Sequence, residues 1–222
     1  MREFDLRALL SLLPQPTLET LYMTLASTIL SSLLGFPLGA YLYYSSPVGL
    51  SPKPIGYNIL SRLVNLFRSL PFIILMILIF PLSRLIVRTS IGPTATIIPL
   101  SLAAAPFVAR IVESALQEVD PGVLTAARAM GSTNFQIIRK VLIPEAMPSL
   151  VSGLALTIIN LIGYSAMAGA IGGGGLGDLA IRYGYHRFRI DVTIAAVIII
   201  LIMVELIQLA GTMVSRRLLS KR

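Results

Sequence analysis

The sequence predicts an all-α integral membrane protein with five transmembrane helices and one long polar segment between the third and fourth. Of the 222 residues, 55% are hydrophobic and only 13% are charged, and the mean hydropathy is +0.84. Soluble domains carry about a quarter charged residues, so this composition is typical of a chain that lies largely in lipid. Five apolar stretches are long enough to cross a bilayer, which takes about 20 residues in a helix.

The predicted spans are not equally regular. The second contains Pro71 and Pro81 and the third contains Pro99 and Pro106, so kinks are expected in both. No internal repeat and no long linker divides the sequence, and residues 1–222 are therefore predicted to form a single domain. The spans cover residues 18–44, 59–82, 91–115, 146–170 and 192–214.

The composition also excludes several classes of function. The sequence has no cysteine and one histidine, His186, which excludes thiolate metal sites, histidine metal clusters and a histidine-based catalytic triad. We therefore predict no metal site and no cofactor. The net charge of +8 would suit nucleic-acid binding, but the basic residues mainly flank the apolar spans, where membrane topology explains them.

The distribution of Lys and Arg predicts the orientation. Eleven basic residues fall on one side of the predicted topology and seven on the other, and the side with more is expected to be cytoplasmic. This places the N-terminus outside, the C-terminus in the cytoplasm and the polar segment, residues 120–144, also in the cytoplasm. The larger group is Lys53, Arg62, Arg68, Arg110, Arg128, Arg139, Lys140, Arg216, Arg217, Lys221 and Arg222. The smaller group is Arg2, Arg7, Arg84, Arg88, Arg182, Arg187 and Arg189.

The polar segment is predicted to form two short amphipathic helices joined at Gly131. Asp120 is suited to cap the first helix, Pro121 suits its first turn, and Gly131 is suited to end it. Thr133 and Gln136 have the spacing of a capping box at the start of the second helix.

Both helices of this segment divide into an apolar and a polar face. A segment that presents a cationic polar face while membrane spans hold it in place predicts a partner in the aqueous phase. In the first helix the apolar face is Val123, Leu124, Ala127 and Met130, and the polar face is Thr125, Arg128 and Ser132. In the second the apolar face is Phe135, Ile138 and Leu142, and the polar face is Gln136, Arg139 and Lys140.

Polar and small residues inside the fourth span have two interpretations. They line a translocation pathway, or they let neighbouring helices approach and form hydrogen bonds. Helix packing is the better interpretation of Gly163 and Ser165, whereas both interpretations stay open for Asn160 and Met167. Tyr164 lies in the same run.

Two further pairs of polar residues lie three positions apart. Glu205 and Gln208 share a face of the fifth span, where a lone carboxylate favours a buried or interfacial glutamate over a proton relay. Arg110 and Glu113, near the cytoplasmic end of the third span, are expected to form a structural ion pair.

The region after the fourth span is rich in glycine but is not a phosphate-binding loop. The four glycines from Gly172 to Gly175 lack the Lys-Ser/Thr that such a loop requires, so we expect a sharp turn there, with Asp178 capping the next helix. The aromatic and basic residues 183–189 are predicted to form an interfacial belt or a docking patch for an external partner.

The polar segment resembles a known motif. Membrane subunits of ABC importers carry Glu-Ala-Ala-x3-Gly-x9-Ile-x-Leu-Pro in the cytoplasm, and in that family this coupling helix docks into a groove of a separate ATPase subunit. The motif positions here are Thr125, Ala126, Ala127, Gly131, Val141, Ile143 and Pro144. Thr125 stands where the motif has glutamate, and the other positions are identical or conservative.

Four further segments resemble the methionine-import permease subfamily, and the resemblance extends over nearly the whole chain. They are residues 66–75, 104–116, 139–146 and 163–177. The resemblance implies the type I ABC importer permease fold, a bacterial inner membrane location, a homodimeric permease, two copies of a cytoplasmic ATPase and an extracytoplasmic substrate-binding protein.

The resemblance also implies roles for particular residues. ATPase coupling would fall to Leu124, Thr125, Ala126, Ala127, Arg128, Ala129, Met130, Gly131 and Pro144. The pathway and its gate would be lined by Asn160, Tyr164, Ser165 and Met167, with Met167 at or near the gate. The chain itself would not be an enzyme, because ATP hydrolysis belongs to the partner.

The function that follows is ATP-driven import of methionine and related amino acids. Two alternatives remain within transport: an ABC permease for another amino acid or small metabolite, and a proton-coupled carrier that uses Glu205. A non-transporting scaffold is disfavoured by the polar and glycine-rich fourth span.

Overall fold

The computed structural model describes residue 9 and residues 11–220, and these residues form a helical bundle. Two π-helical segments interrupt the α-helices, at Ile138–Leu142 and Ala180–Tyr185. The α-helices of the described residues are α1 Pro14–Ser45, α2 Pro54–Ser69, α3 Phe72–Val87, α4 Pro93–Gln117, α5 Pro121–Ala129, α6 Asn134–Ile137, α7 Ile143–Gly169, α8 Gly175–Leu179 and α9 Ile190–Leu219.

Four of the five predicted spans are single helices long and apolar enough to cross a membrane. They are α1, α4, α9 and the continuous helix Asn134–Gly169, which joins α6, the first π-helical segment and α7. In α4 the helix runs on through Pro99 and Pro106.

The second predicted span is broken. Helices α2 and α3 pass the test for a membrane span only together, and they meet at an angle of 103°. The break lies at Leu70 and Pro71. Leu70 is extended, because a proline disfavours the α conformation of the residue that precedes it. Pro81, by contrast, is accommodated inside α3.

Helix α4 is the centre of the bundle and packs most closely against α1. A Cβ atom added to Gly35 would lie 2.6 Å from the carbonyl oxygen of Ala105, and one added to Gly39 would lie 2.3 Å from that of Ala109. Only glycine lets the two backbones approach this closely, as is common between membrane helices. Helix α7 packs on another side of α4 and carries α9 on its outer side.

The expected ion pair of Arg110 and Glu113 is confirmed, with an N–O distance of 2.5 Å. Arg110 also donates a hydrogen bond of 2.9 Å to the backbone carbonyl of Ser61. The pair therefore joins α4 to α2, which is more than a contact within one helix.

Candidate functional site

The polar segment between α4 and α7 folds locally as its sequence predicts. The Asp120 carboxylate accepts a 2.6 Å hydrogen bond from the backbone N–H of Gly122, and Pro121 begins α5. Gly131 follows the helix with a φ of +76°, a conformation that glycine adopts without strain.

The capping box of the second short helix is also present. The Thr133 hydroxyl accepts a 3.3 Å hydrogen bond from the N–H of Gln136, and the Gln136 side-chain oxygen accepts one of 2.8 Å from the N–H of Thr133. These two reciprocal bonds fix the direction in which α6 leaves the turn.

The apolar face predicted for α5 is only partly turned towards the protein. Ala127 is buried and Leu124 is half-buried, but Val123 is exposed and Met130 is 79% exposed. Two residues thus anchor α5, and two of the predicted four remain at the surface.

The apolar face predicted for the second helix is confirmed at two of its three residues, since Leu142 is buried and Ile138 packs against the core, and it is wrong at Phe135. Phe135 is 70% exposed, whereas Ile137 and Leu142 are fully buried. Ile137 and Leu142 are five residues apart, and the π-helical segment Ile138–Leu142 brings such positions onto one face, because its hydrogen bonds join residues five apart.

The residues implied in ATPase coupling lie together at this end of the bundle. Thr125 donates a 2.9 Å hydrogen bond to the carbonyl of Pro121 and is exposed. The exposed members of the set are Thr125, Ala126, Arg128, Ala129, Met130, Gly131 and Pro144. With Val123 and Phe135 they form a surface that combines apolar side chains and an arginine, and we call it the α5 surface.

The residues implied in the pathway lie on α7. Asn160 and Met167 are exposed and, with Gly163, follow a stripe with helical spacing along one face. Tyr164 is half-buried and its ring stacks on that of Phe72, with centroids 4.4 Å apart and planes 4° apart. Ser165 points elsewhere: it is buried, and its hydroxyl donates a 2.8 Å hydrogen bond to the carbonyl of Ile162.

Two cavities adjoin this face of α7. The Asn160 cavity has a volume of about 270 Å³ and lies between α7, α4 and the break that separates α2 from α3. The Arg110 cavity, of about 510 Å³, lies between α4, α7 and the C-terminal end of α9. Arg68 and Phe107 line both cavities, so the two meet at this pair.

Helix α9 has three distinct faces. One is packed against the bundle and contains Val192, Ala196, Met203 and Gly211. A second is apolar and exposed, and contains Ile198, Ile202, Leu206, Leu209 and Met213. The third, which we call the α9 polar stripe, contains Glu205, Gln208 and Thr212. Beyond it, Ser215 is buried against α7 and donates a 3.0 Å hydrogen bond to the carbonyl of Pro148.

The glycine-rich region after α7 is held in place by two residues of α1 that the sequence does not predict for this role. The Glu19 carboxylate accepts a 2.8 Å hydrogen bond from the N–H of Gly175, and the Thr20 hydroxyl accepts one of 2.9 Å from the N–H of Leu176. The prediction that Asp178 caps this helix is wrong. Asp178 lies inside α8 and pairs with Arg182 at 2.5 Å, and α1 supplies the groups that satisfy the start of α8.

Comparison with known proteins identifies related chains across almost the full length. The family model described as "Binding-protein-dependent transport system inner membrane component" matches residues 35–220. The chain is 47% identical over 206 residues to the probable D-methionine transport system permease protein MetI of Vibrio cholerae, covering 93% of this chain and 92% of that protein. It is 46% identical over 199 residues to the methionine import system permease protein MetP of Bacillus subtilis, covering 90% of each.

A solved structure shares the same fold. A chain from the inward-facing MetNI methionine ABC transporter superposes with a TM-score of 0.93 at 44% sequence identity, over 97% of this chain and 99% of that one. The predicted fold class, that of a type I ABC importer permease, is therefore confirmed. The match over residues 35–220 and the identity to MetI and MetP show that the chain belongs to the family of binding-protein-dependent transport system inner membrane components, the multi-pass permease subunits of ABC importers.

Proposed function

We propose that this chain is the membrane-spanning subunit of an ATP-driven importer that carries methionine and related amino acids. In this proposal two copies form the translocation pathway, a separate ATPase subunit binds to each, and an extracytoplasmic protein delivers the substrate. The similarity to MetI and MetP, both described as methionine permeases, supports the substrate class. Residues 1–222 act as one domain.

The α5 surface is the observation that carries the proposal. Val123, Met130 and Phe135 are exposed on this segment. Large apolar side chains grouped at one exposed site are typical of surfaces that bind another protein. Its caps and its burial of Ala127 fix it to the spans, so a force applied there reaches α4 and α7 directly. The ATPase is the partner that supplies this force, since the chain has no phosphate-binding loop of its own.

The orientation follows from the same assignment. If the α5 surface binds an ATPase, it lies in the cytoplasm. With α2 and α3 counted together as one span, three crossings then separate it from the N-terminus, which lies outside, and two from the C-terminus, which lies inside. Apart from Arg68, the larger group of Lys and Arg residues then lies in the cytoplasm or at the cytoplasmic ends of the spans, in agreement with the positive-inside rule.

Two faces of the bundle support a dimer with a central pathway. The exposed stripe of α7 carries Asn160 and Met167, and the α9 polar stripe carries Glu205 and Gln208. Polar groups such as these are costly against lipid and are found facing protein or a water-filled cavity. A second copy placed across these faces shields them, with Asn160, Tyr164 and Met167 along the path and Ser165 behind it.

The decisive experiment is reconstitution. The chain is co-expressed with an ABC ATPase of the same organism, the complex is purified and placed in proteoliposomes, and uptake of radiolabelled methionine is measured with the binding protein and ATP. We expect uptake that requires the ATPase, the binding protein and ATP. Uptake driven by a proton gradient without any ATPase, and lost in Glu205→Gln, would instead support a secondary carrier. ATP-driven uptake of a different metabolite would contradict only the substrate assignment.

The assignment of the gate has its own test. We expect Met167→Ala to loosen the closed pathway, because the exposed thioether side chain is replaced by a methyl group. The measurement is leak of methionine from loaded proteoliposomes together with basal ATP hydrolysis. Unchanged values of both would count against Met167 as the gate.

A further inference from the structure

Arg68 occupies an unusual place in the membrane part of the protein. It lies in the last turn of α2, just before the break at Leu70 and Pro71, and its guanidinium carbon is 5.8 Å from the centre of the Phe107 ring. Phe107 is ten residues before the end of α4 at Gln117, or about 15 Å at the rise of an α-helix. The cation of Arg68 therefore lies deep within the thickness of the bundle.

No carboxylate neutralises this cation within the described part of the chain. The three ion pairs found among residues 9 and 11–220 involve Arg110, Arg182 and Arg189, and none involves Arg68. Of the two carboxylates at this end of α4, Glu113 is paired with Arg110, and Glu118, which lines the Arg110 cavity, accepts a 2.6 Å hydrogen bond from the Ser149 hydroxyl. An arginine deep in a membrane protein that lacks a counter-ion is costly, and it is expected to serve a function.

The surroundings of Arg68 suit a small zwitterion with an apolar side chain. Arg68 is exposed to both cavities at the point where they meet, so a molecule moving from one to the other passes its guanidinium. The Asn160 cavity adds the amide of Asn160 and the aromatic rings of Tyr164 and Phe72, with Leu75 on its wall. A planar guanidinium binds a carboxylate through two parallel hydrogen bonds, and the rings and Leu75 offer an apolar contact to a side chain such as a thioether.

We propose that Arg68 is a transient binding site for the α-carboxylate of the amino acid as it crosses the membrane, with Asn160 as a neighbouring polar contact. This inference rests on the proposed transport function and extends it to a specificity-determining residue of the pathway. Arg68 releases Phe107 to bind the carboxylate and returns when the substrate leaves. The weak contact to Phe107 holds the side chain in position without neutralising it.

The first measurement is direct binding, which separates carboxylate recognition from a structural role. The permease–ATPase complex in nanodiscs, without nucleotide, is titrated with L-methionine and with L-methionine methyl ester, which lacks the carboxylate, and saturation-transfer NMR follows both. We expect wild type to prefer methionine by about tenfold, as a charge-assisted pair would give, and Arg68→Gln to bind the two equally. An unchanged preference in Arg68→Gln would overturn the proposal.

The second measurement is ATP-driven uptake, with Arg62→Gln as the matched control. Arg62 is an exposed arginine of the same helix that lines neither cavity. We expect Arg68→Gln to lower methionine uptake by about tenfold, Arg68→Lys to retain more because it keeps the charge, and Arg62→Gln to match wild type. Equal losses in Arg62→Gln and Arg68→Gln would contradict a specific role of Arg68.

Failure of this inference can be told apart from failure of the proposed function. If wild type transports another amino acid and not methionine, the titration is repeated with that amino acid and its ester, and loss of the preference in Arg68→Gln still supports the proposal. If wild type imports methionine and Arg68→Gln imports it equally well, the importer assignment stands and the role of Arg68 is wrong.

Discussion

Helices α5 and α8 are both short helices that connect membrane spans, and they differ in where their apolar side chains lie. In α8, Leu176 and Leu179 are buried among residues of α7 and α9 such as Ile162 and Val192. In α5 and the turn after it, Val123 and Met130 are exposed. The two helices lie at opposite ends of the bundle, because α7 runs from one to the other.

Only the α8 end of the bundle is complete by itself. The start of α8 is satisfied by Glu19 and Thr20 of the same chain, so this end is closed by internal contacts. Helix α5 has its own cap and a small buried anchor, and it leaves apolar surface for another molecule. The following predictions test this contrast.

The largest effect is expected for Leu176→Ala in α8. Removing a fully buried leucine should lower the free energy of unfolding by about 2–5 kcal/mol, because the cavity left behind cannot be filled completely. The measurement is reversible unfolding in mixed micelles, and binding of the ATPase to the folded fraction should be unchanged. A loss below about 1 kcal/mol would show that burial does not hold α8 in place.

Gly131→Asp should have a large effect on coupling and a small one on stability. Aspartate adopts a positive φ more readily than most residues, with a strain of about 1–2 kcal/mol, and a Cβ atom there meets nothing within 4 Å. The new charge lies on the α5 surface, where burying it against a partner should reduce ATP-driven uptake by about tenfold or more.

The matched control for this variant is Gly131→Asn, which has the same shape and backbone preference without the charge. We expect it to retain most of the uptake. Normal uptake by Gly131→Asp with the ATPase still bound would contradict the docking assignment.

A smaller effect is expected for Met130→Ser. Because Met130 is 79% exposed, the free energy of unfolding should change by less than about 0.5 kcal/mol. Loss of its apolar contact should weaken ATPase binding about fivefold, measured by titrating labelled ATPase onto the permease in nanodiscs. The control is Phe188→Ser, an equally exposed apolar residue on the α8 side, and an equal loss in both variants would contradict the contrast between the two ends.

The smallest effect is expected for Thr125→Glu, which introduces the glutamate of the coupling motif. The exposed hydroxyl of Thr125 bonds only to the carbonyl of Pro121 within its own helix, so its loss should cost little. We therefore expect the affinity for the ATPase to change by less than about threefold, and a tenfold change would show that residue 125 contacts the partner directly.

Features that depend on neighbouring residues were predictable from the sequence. The cap at Asp120, the capping box at Thr133 and the turn at Gly131 each involve atoms within a few residues of one another, and all three are present. The Arg110–Glu113 pair was predictable for the same reason, since its members lie one helical turn apart.

Features that depend on packing were not predictable in the same way. The burial of Ile137 in place of Phe135 was missed because the π-helical segment that begins at Ile138, which no residue pattern announces, changes which residues share a face. The support of α8 by Glu19 joins residues that are 156 positions apart. From the sequence, Arg68 was used only as one of the basic residues that predict the orientation. The cavities beside it form only when α2, α4 and α7 pack together.

The α9 polar stripe has a consequence for how the protein is made. A newly inserted chain that has not met its partner holds Glu205 and Gln208 against acyl chains, near the middle of a 30-residue helix. A charged group at such a position costs about 2.5–3.5 kcal/mol on membrane-insertion scales. In the proposed dimer a second copy shields these groups from lipid, so we expect pairing to be favoured by the removal of this cost as well as by the contacts it forms.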